Sequence, residues 1–130
     1  MSTSFSSSFG PYTLLRRLGQ GGLAEVFLAR AKSSGGFNKL LAIKRLLPPC
    51  NDDESLVSLL ADEARLTVWL HHPNIVQVLD FGQVEGVHYI AMEYVDGCDL
   101  STLLHSKALR PKSTLPLPTA LYVMIQTVDG

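Results

Sequence analysis

Residues 19–26 read GQGGLAEV, and residues 41–44 read LAIK. The segments that flank the glycines, Tyr12 to Leu18 and Val26 to Arg30, have the alternating, β-branched and aromatic content of strands. The glycines are therefore predicted to join two strands as a hairpin. Because these glycines have no side chains, their amides can approach phosphate oxygens closely. The pattern predicts a flexible loop that covers phosphates, formed by Gly19, Gly21 and Gly22.

Two other glycine-rich phosphate sites do not fit this sequence. A dinucleotide-binding fold needs a helix directly after its glycines, whereas residues 25–29, EVFLA, are typical of a strand. An ATPase P-loop ends in Gly-Lys-Ser or Gly-Lys-Thr, and no such tripeptide follows Gly22. For the glycines taken alone, an ordinary hairpin is the alternative.

A lysine and a glutamate are the next candidate site residues. Lys44 lies in an apolar run, residues 40–47, and is costly to bury unless an anion meets it. Residues 52–70 have a helical pattern, and one face carries Leu56, Leu59, Leu60, Glu63, Thr67 and Leu70. The pattern therefore predicts an ion pair between Lys44 and Glu63 that orients the lysine toward phosphates. The alternatives are a lysine that snorkels to water and a solvated helix glutamate.

Taken together, these features resemble the N-terminal lobe of a bacterial-type serine/threonine protein kinase. Residues 19–26 resemble its glycine-rich loop, with Ala24 in place of the third glycine, and residues 42–44 (AIK) resemble its third-strand lysine motif. Residues 72–76 (HPNIV) resemble the turn after the helix that carries the lysine's partner. Residues 89–97 (YIAMEYVDG) resemble the fifth strand and the hinge between the lobes.

The resemblance implies an ATP site. Met92 is expected to be the gatekeeper behind the adenine, while the Glu93 carbonyl and the Val95 amide hydrogen-bond the adenine edge. Val26 and Ala42 are expected to pack on the ring. The full set implied to bind the nucleotide is Leu18, Gly19, Gln20, Gly21, Gly22, Val26, Ala42, Lys44, Met92, Glu93, Val95 and Asp99, the last near the ribose.

The resemblance further implies transfer of the ATP γ-phosphoryl group, with Mg²⁺, to a serine or threonine hydroxyl of a protein substrate. Lys44 and Glu63 are the catalytic residues expected here, as a phosphate-orienting pair. No His-Arg-Asp loop or later Asp-Phe-Gly motif follows the hinge, so this chain alone is expected to be inactive and to hold no metal ligands. Residues 80–82 read DFG, but they precede the hinge and are expected to end the fourth strand. The alternatives are a non-catalytic nucleotide-binding or interaction module and a remnant that binds nothing.

The expected fold is α+β: a five-stranded antiparallel sheet with one large helix, followed by the first helices of a helical C-terminal lobe. Residues 1–9 are expected to form a disordered serine-rich tail, residues 10–95 the N-terminal lobe, and residues 96–130 the hinge exit and the start of the C-terminal lobe. Pro48-Pro49 is expected to break the chain. A short helix is predicted over 99–106, and a further one from Thr119, with an apolar stripe of Leu121, Met124, Ile125 and Val128.

The composition is that of a globular chain, with 130 residues, of which 46% are hydrophobic and 18% charged. A formal charge of -1 gives no basic surface for nucleic acid. No apolar run approaches the roughly 20 residues of a membrane helix, and no leader pattern is present, so a cytoplasmic protein is expected. Cys50 and Cys98 lack metal-ligand spacing and are expected to be reduced thiols.

Overall fold

The computed structural model describes residues 6–32 and 39–105. These residues form β1 (Ser7–Phe9), β2 (Tyr12–Gln20), β3 (Ala24–Ala31), β4 (Leu40–Leu46), α1 (Pro48–Asn51), α2 (Glu54–Val68), β5 (Val78–Val84), β6 (Val87–Glu93) and α3 (Leu100–Leu104). All strand pairs are antiparallel, in the order β1-β2-β3-β4-β6-β5. The predicted α+β fold with one large helix is confirmed, and the sheet has one strand more than predicted.

The additional strand is β1, which lies in the segment predicted to be a disordered tail. Ser7 pairs with Leu14, and Phe9 pairs with Tyr12. The Phe9 side chain is buried, and its ring meets that of Tyr89 edge-on at 5.4 Å between centroids. The tail prediction is therefore wrong for Ser7–Phe9, because the serine-rich composition concealed one aromatic residue that the core binds. Residues 1–5 lie outside the described residues.

The sheet has two apolar faces, since successive side chains of a strand point to opposite sides. One face carries a cluster of Phe9, Tyr12, Leu14, Phe27, Ala29, Leu41, Ile43, Tyr89 and Ala91. The other face packs against α2 through Leu46, Leu60, Ala64, Val78 and Ile90. Strand β4 contributes Leu41 and Ile43 to the first cluster and Leu46 to the second. Lys44 therefore lies on the face that α2 covers.

Helix α1 differs from the break predicted at Pro48-Pro49. The two prolines are the first residues of the helix, where an amide has no partner within the helix and proline is favoured. Helix α2 then begins after Asp53, whose carboxylate accepts hydrogen bonds from the Ser55 hydroxyl and amide, at 2.6 and 2.9 Å. These bonds, the side-chain one first, lower the pKa of Asp53.

The buried face of α2 is narrower than the sequence pattern predicts. Leu60 and Ala64 are its buried residues. Leu59 and Leu70, which were predicted to be on the buried face, are 61% and 46% exposed. The predicted face is therefore correct at its centre and too wide at its edges, because α2 contacts the sheet along a single narrow stripe.

The chain divides into two compact units, of which the first contains the whole sheet with α1 and α2. The described part of the second unit comprises residues 72–75 and 95–105. Its first segment is the predicted turn, in which the Ile75 amide donates to the His72 carbonyl at 3.1 Å. Its second segment contains α3. The predicted helix with its apolar stripe from residue 119 lies outside the described residues.

Candidate nucleotide-binding site

The glycine-rich loop lies between β2 and β3, as predicted. Gly19 pairs with Val26. The turn is closed by a 2.8 Å hydrogen bond from the Gly21 amide to the Ala24 carbonyl. Gln20 pairs with Glu25, so the two strands remain paired up to the loop, although their register shifts between Arg17 and Gly19.

Within the described residues, neither backbone conformation nor a neighbouring atom requires glycine at two of the loop positions. The glycines with positive φ in the described residues are Gly10 and Gly86, neither of which is in the loop. A Cβ atom built on Gly19 or Gly22 would meet no other atom within 4 Å. Glycine at these positions therefore relieves neither backbone strain nor an internal clash. It leaves the backbone open to a ligand.

The loop is held from one side by the segment that begins α1. The Leu47 amide donates to the Leu23 carbonyl at 2.9 Å, and the Cys50 thiol lies 3.9 Å from the Gly22 carbonyl. The backbone carbonyls of Gly22 and Leu23 are thus both in contact with the segment that begins α1. This contact has no counterpart among the sequence predictions, because it joins residues that no motif relates.

The predicted ion pair between Lys44 and Glu63 is present. Lys44 Nζ lies 3.0 Å from each of the two carboxylate oxygens of Glu63. The side chains are 29% and 49% exposed, respectively. Glu63 was predicted to lie on a buried face, and this is wrong, because it lies at the edge of the stripe that α2 buries. The pair is consequently accessible to solvent.

A cavity of about 100 Å³ adjoins this pair. It lies between the glycine-rich hairpin, β4 and α2, and is lined by Leu23, Ala24, Lys44, Leu46, Leu56, Leu59, Leu60 and Glu63. The cavity is too small for a nucleotide, but it leaves space next to the lysine ammonium group.

The strand register brings the residues predicted to contact adenine onto the face of Lys44. Val26 pairs directly with Lys44, and Ala42 pairs directly with Met92. Directly paired residues of antiparallel strands point to the same side. Met92 packs at the edge of the cluster under α2, and Leu18, just before the loop, is 38% exposed.

Glu93 is the last residue of β6. Its carboxylate accepts a hydrogen bond from the Gln77 amide, and its own amide donates to the Gln77 carbonyl, both at 2.9 Å. The side chain is therefore engaged in the first compact unit. The predicted role of the Glu93 carbonyl at the adenine edge stays a prediction.

Val95 and Asp99 belong to the second compact unit. Val95 is 62% exposed. The Asp99 carboxylate caps α3 by accepting a 2.6 Å hydrogen bond from the Thr102 amide. Hydrogen bonding to Thr102 lowers the pKa of Asp99. The expected contacts of Val95 with adenine and of Asp99 with the ribose stay predictions.

The DFG sequence at residues 80–82 precedes the hinge, as predicted, but it lies in the middle of β5 and not at the end of a strand, because β5 begins at Val78 and continues to Val84. The Asp80 carboxylate accepts long hydrogen bonds, of 3.4 Å, from the hydroxyls of Tyr12 and Tyr89. Burial is the main cause of the raised pKa of both tyrosines. Asp80 thus has a role within the sheet. Across residues 6–32 and 39–105, no group of three or more His, Cys, Asp or Glu side chains could hold a metal ion.

A second ionic cluster was not found by sequence reasoning. The buried carboxylate of Glu25 accepts from Arg45 Nε at 2.8 Å with one oxygen and from an Arg17 guanidinium nitrogen at 2.9 Å with the other. We call Arg17, Glu25 and Arg45 the Glu25 cluster. The available signal was the alternation of β3 and β4, which places Glu25 and Arg45 on one face opposite Val26 and Lys44.

The glycine-rich hairpin, the lysine of β4 and the glutamate of α2 together are typical of one class of protein. Comparison with known sequences shows which class this is. The sequence profile of the protein tyrosine and serine/threonine kinase family matches residues 12–130. The chain belongs to this family, and its described sheet and α2 are those of a kinase N-terminal lobe.

Individual relatives agree with this assignment. The chain is 45% identical over 122 residues to the tyrosine-protein kinase MasK of Myxococcus xanthus, a match that covers 94% of this chain and 19% of MasK. A probable serine/threonine-protein kinase of Clostridium perfringens is 35% identical over 119 residues, covering 92% of this chain and 16% of that protein. The crystal structure of the Mycobacterium tuberculosis PknI kinase domain superposes with a TM-score of 0.70 at 30% identity, covering 98% of this chain and 48% of that one.

The chain thus spans less than a fifth of these two curated relatives and about half of the PknI kinase domain. Among the described residues, no helix is both long and apolar enough to cross a membrane.

Proposed function

We propose that this chain is the ATP-binding lobe of a kinase that transfers the γ-phosphoryl group of ATP to serine or threonine hydroxyls of a protein substrate. The observation that carries the proposal is the contact of Lys44 with both carboxylate oxygens of Glu63, on the sheet face next to the glycine-rich loop. An ammonium group oriented in this way is suited to bind the α and β phosphates.

The open glycines are the second feature that fits a phosphate chain. Among the described residues nothing requires glycine at Gly19 and Gly22, so an anion can come close to their backbone. Lys44 pairs across the strands with Val26, which directly follows the hairpin turn. A phosphate chain under the loop would therefore lie within reach of the lysine.

Mg²⁺ is expected to accompany ATP and to neutralise charge on the phosphate oxygens. The residues of this lobe contribute orientation: Lys44 positions the phosphates, Glu63 fixes Lys44, and the loop excludes water. Val26, Ala42 and Met92 supply an apolar surface for the adenine ring. Catalysis of phosphoryl transfer consists mainly of positioning and electrostatic stabilisation. By orienting the phosphates, these residues would therefore raise the rate of transfer as well as bind ATP.

The acceptor hydroxyl has a second candidate. The 45% identical relative from Myxococcus xanthus is called a tyrosine-protein kinase. Serine/threonine kinases are the larger group among the relatives, including Pkn3 of Myxococcus xanthus at 42% identity and PrkC of Bacillus subtilis at 36%. We favour serine and threonine on this basis, and we place the domain in the cytoplasm, where ATP is available. A non-catalytic nucleotide-binding module is the alternative that shares the same geometry.

Binding is tested by titrating ATP and Mg²⁺ into the full chain. Lys44→Met is expected to weaken ATP binding, whereas Lys39→Met, at an exposed lysine before β4, is the matched control and is expected to bind normally. Equal affinity of the Lys44→Met variant and the unmodified chain would refute the ATP site.

Transfer is tested in a chimeric kinase, in which residues 12–130 replace the matched segment of MasK. Radiolabelled phosphate on a protein substrate is expected, and a Lys44→Met version of the chimera is expected to transfer little. Binding of ATP without any transfer by the chimera would favour the non-catalytic module.

A further inference from the structure

Glu25 is an unusual residue for its position. It is 5% exposed and is the buried charged residue of the described part of the chain. A buried carboxylate is tolerated when each oxygen has a charged or hydrogen-bonding partner. Arg45 and Arg17 provide one partner for each oxygen. The ion cluster is therefore complete and does not require a ligand.

The Glu25 cluster lies where the backbone ladder of the glycine-rich hairpin is irregular. The pairing of β2 with β3 shifts between Arg17 and Gly19, directly before the loop. Such a bulge interrupts the ladder and leaves the hairpin less constrained by backbone hydrogen bonds. The bond from Arg17 to Glu25 spans this interruption, and the bond from Arg45 to Glu25 joins the hairpin to β4.

The cluster is also adjacent to the predicted phosphate site, on the reverse side of the sheet. Glu25 pairs with Arg45, and the next pair along the same strands is Val26 with Lys44. Alternation places the first pair away from α2 and the second pair toward it. Because Glu25 and Val26 are adjacent residues of β3, a shift of the Glu25 backbone also shifts Val26 and the end of the loop.

Aromatic rings hold the two guanidinium groups. Arg45 lies 4.8 Å from the ring centroid of Phe27 and 5.3 Å from that of Phe9. Arg17 lies 5.6 Å from the Phe27 centroid. These distances are within the range of cation–π attraction. Phe9 belongs to β1, so this additional strand contacts the cluster through Arg45.

We propose that Glu25 is a positioning residue for ATP: it fixes the glycine-rich hairpin through Arg17 and Arg45, and the Phe9 ring of β1 secures Arg45. The proposal rests on the proposed ATP site. It assigns to the N-terminal strand a function in nucleotide binding, although no residue of β1 is among those predicted to touch the nucleotide.

Three variants of the full chain test the proposal. Glu25→Gln keeps the shape of the side chain and removes its charge, and should weaken ATP binding by about tenfold, which corresponds to about 1.4 kcal/mol. Phe9→Leu keeps an apolar side chain and removes the ring, and should weaken binding by about threefold. Phe9→Trp keeps an aromatic ring at this position and should therefore bind ATP with the affinity of the unmodified chain. Hydrogen exchange of the amides of residues 19–23 should be faster in the two weakened variants.

The control separates positioning from general stability. Tyr12→Phe removes a hydroxyl from the same apolar face, far from the loop, and should lower the melting temperature without changing ATP affinity. Unchanged ATP affinity in both Glu25→Gln and Phe9→Leu would overturn the proposal, as would equal weakening by Tyr12→Phe. An unmodified chain that fails to bind ATP would overturn the ATP site and this proposal together, whereas normal binding by Glu25→Gln and Phe9→Leu would overturn the positioning role alone.

Discussion

Lys44 and Arg45 are neighbours on β4, and each forms an ion pair with a glutamate, but their surroundings differ. The pair of Lys44 with Glu63 leaves side chains that are 29% and 49% exposed, and one cation serves both carboxylate oxygens. The pair of Arg45 with Glu25 is shared with Arg17, and the Glu25 side chain is 7% exposed.

The difference in burial indicates that the two ion pairs have different roles, one in binding a ligand and one in holding the sheet together. In the exposed pair the ammonium group has solvent beside it and can accept a second anion. In the buried cluster both carboxylate oxygens already have guanidinium partners, so its effect is on the sheet. An exposed pair contributes about 0–1 kcal/mol to folding, whereas removing one partner of a buried pair costs about 3–5 kcal/mol. Stability should therefore depend mainly on the buried cluster and little on the exposed pair, whereas ligand affinity should depend directly on Lys44 and only indirectly, through the hairpin, on Glu25.

The largest expected effect is on stability, through Glu25. Glu25→Ala leaves two guanidinium groups near an apolar surface without their anion, and should lower the free energy of unfolding by about 3 kcal/mol. Glu63→Ala is the matched change on the other face and should cost no more than about 1 kcal/mol. Denaturant titration of both variants measures the difference. Equal losses would show that burial does not distinguish the two pairs.

The next effect is on phosphoryl transfer, through Lys44. In the chimeric kinase, Lys44→Met should reduce the rate on the order of 100-fold, because the phosphates lose their orientation. Its stability should change by no more than about 1 kcal/mol, as expected for an exposed pair. Steady-state kinetics and thermal melting of the same preparation test both statements. If the variant lost transfer only because it unfolded, Lys44 would not act on activity independently of stability.

Met92 extends the comparison to the apolar part of the Lys44 face. Met92→Gly removes a half-buried side chain that packs against the apolar cluster under α2, and should cost about 2 kcal/mol, at the lower end for large core deletions. The space should admit purine analogues with bulky substituents. Competition binding against ATP provides the measurement. If neither melting nor analogue binding changed, Met92 would not lie behind the adenine.

The smallest effect concerns pH and the helix that carries Glu63. Hydrogen bonds from Ser55 lower the pKa of Asp53 from its ordinary value of 3.8, so the cap contributes stability above that value. This contribution is lost as pH falls through the lowered pKa of the folded state. Asp53→Ala should therefore reduce stability at neutral pH and flatten its dependence on pH below 4. Melting curves at several acidic pH values would show parallel profiles if the cap were unimportant.

Much of the fold and of the Lys44 face was predictable because their signals are local. The glycine-rich hairpin, the strand lysine and the helix glutamate each stand within a short segment whose periodicity indicates its structure. Contacts of high sequence separation were not predictable. Arg17, Glu25 and Arg45 meet only after three strands have paired, and a one-residue change of register would place them on the other face.

Two local predictions were wrong because composition outweighed individual residues. Serines around Phe9 are typical of a solvated tail, but a single buried ring is sufficient to pair β1 with β2. Pro48-Pro49 is typical of a break, yet proline is compatible with the first turn of a helix. The α1 segment contacts the glycine-rich loop through Leu47 and Cys50, whereas β1 contacts the Glu25 cluster through Phe9.

The attachment of the loop to the beginning of α1 has a mechanical consequence. The glycine-rich loop is hydrogen-bonded to the segment before α1, so it cannot move away from the sheet independently. Either the bond from the Leu47 amide to the Leu23 carbonyl breaks, at a net cost of about 1 kcal/mol, or the segment before α1 moves together with the loop. That segment continues through Asp53 into α2, which carries Glu63. If ATP enters the proposed site by displacing the loop, the displacement would therefore act on the segment that leads into α2 and Glu63.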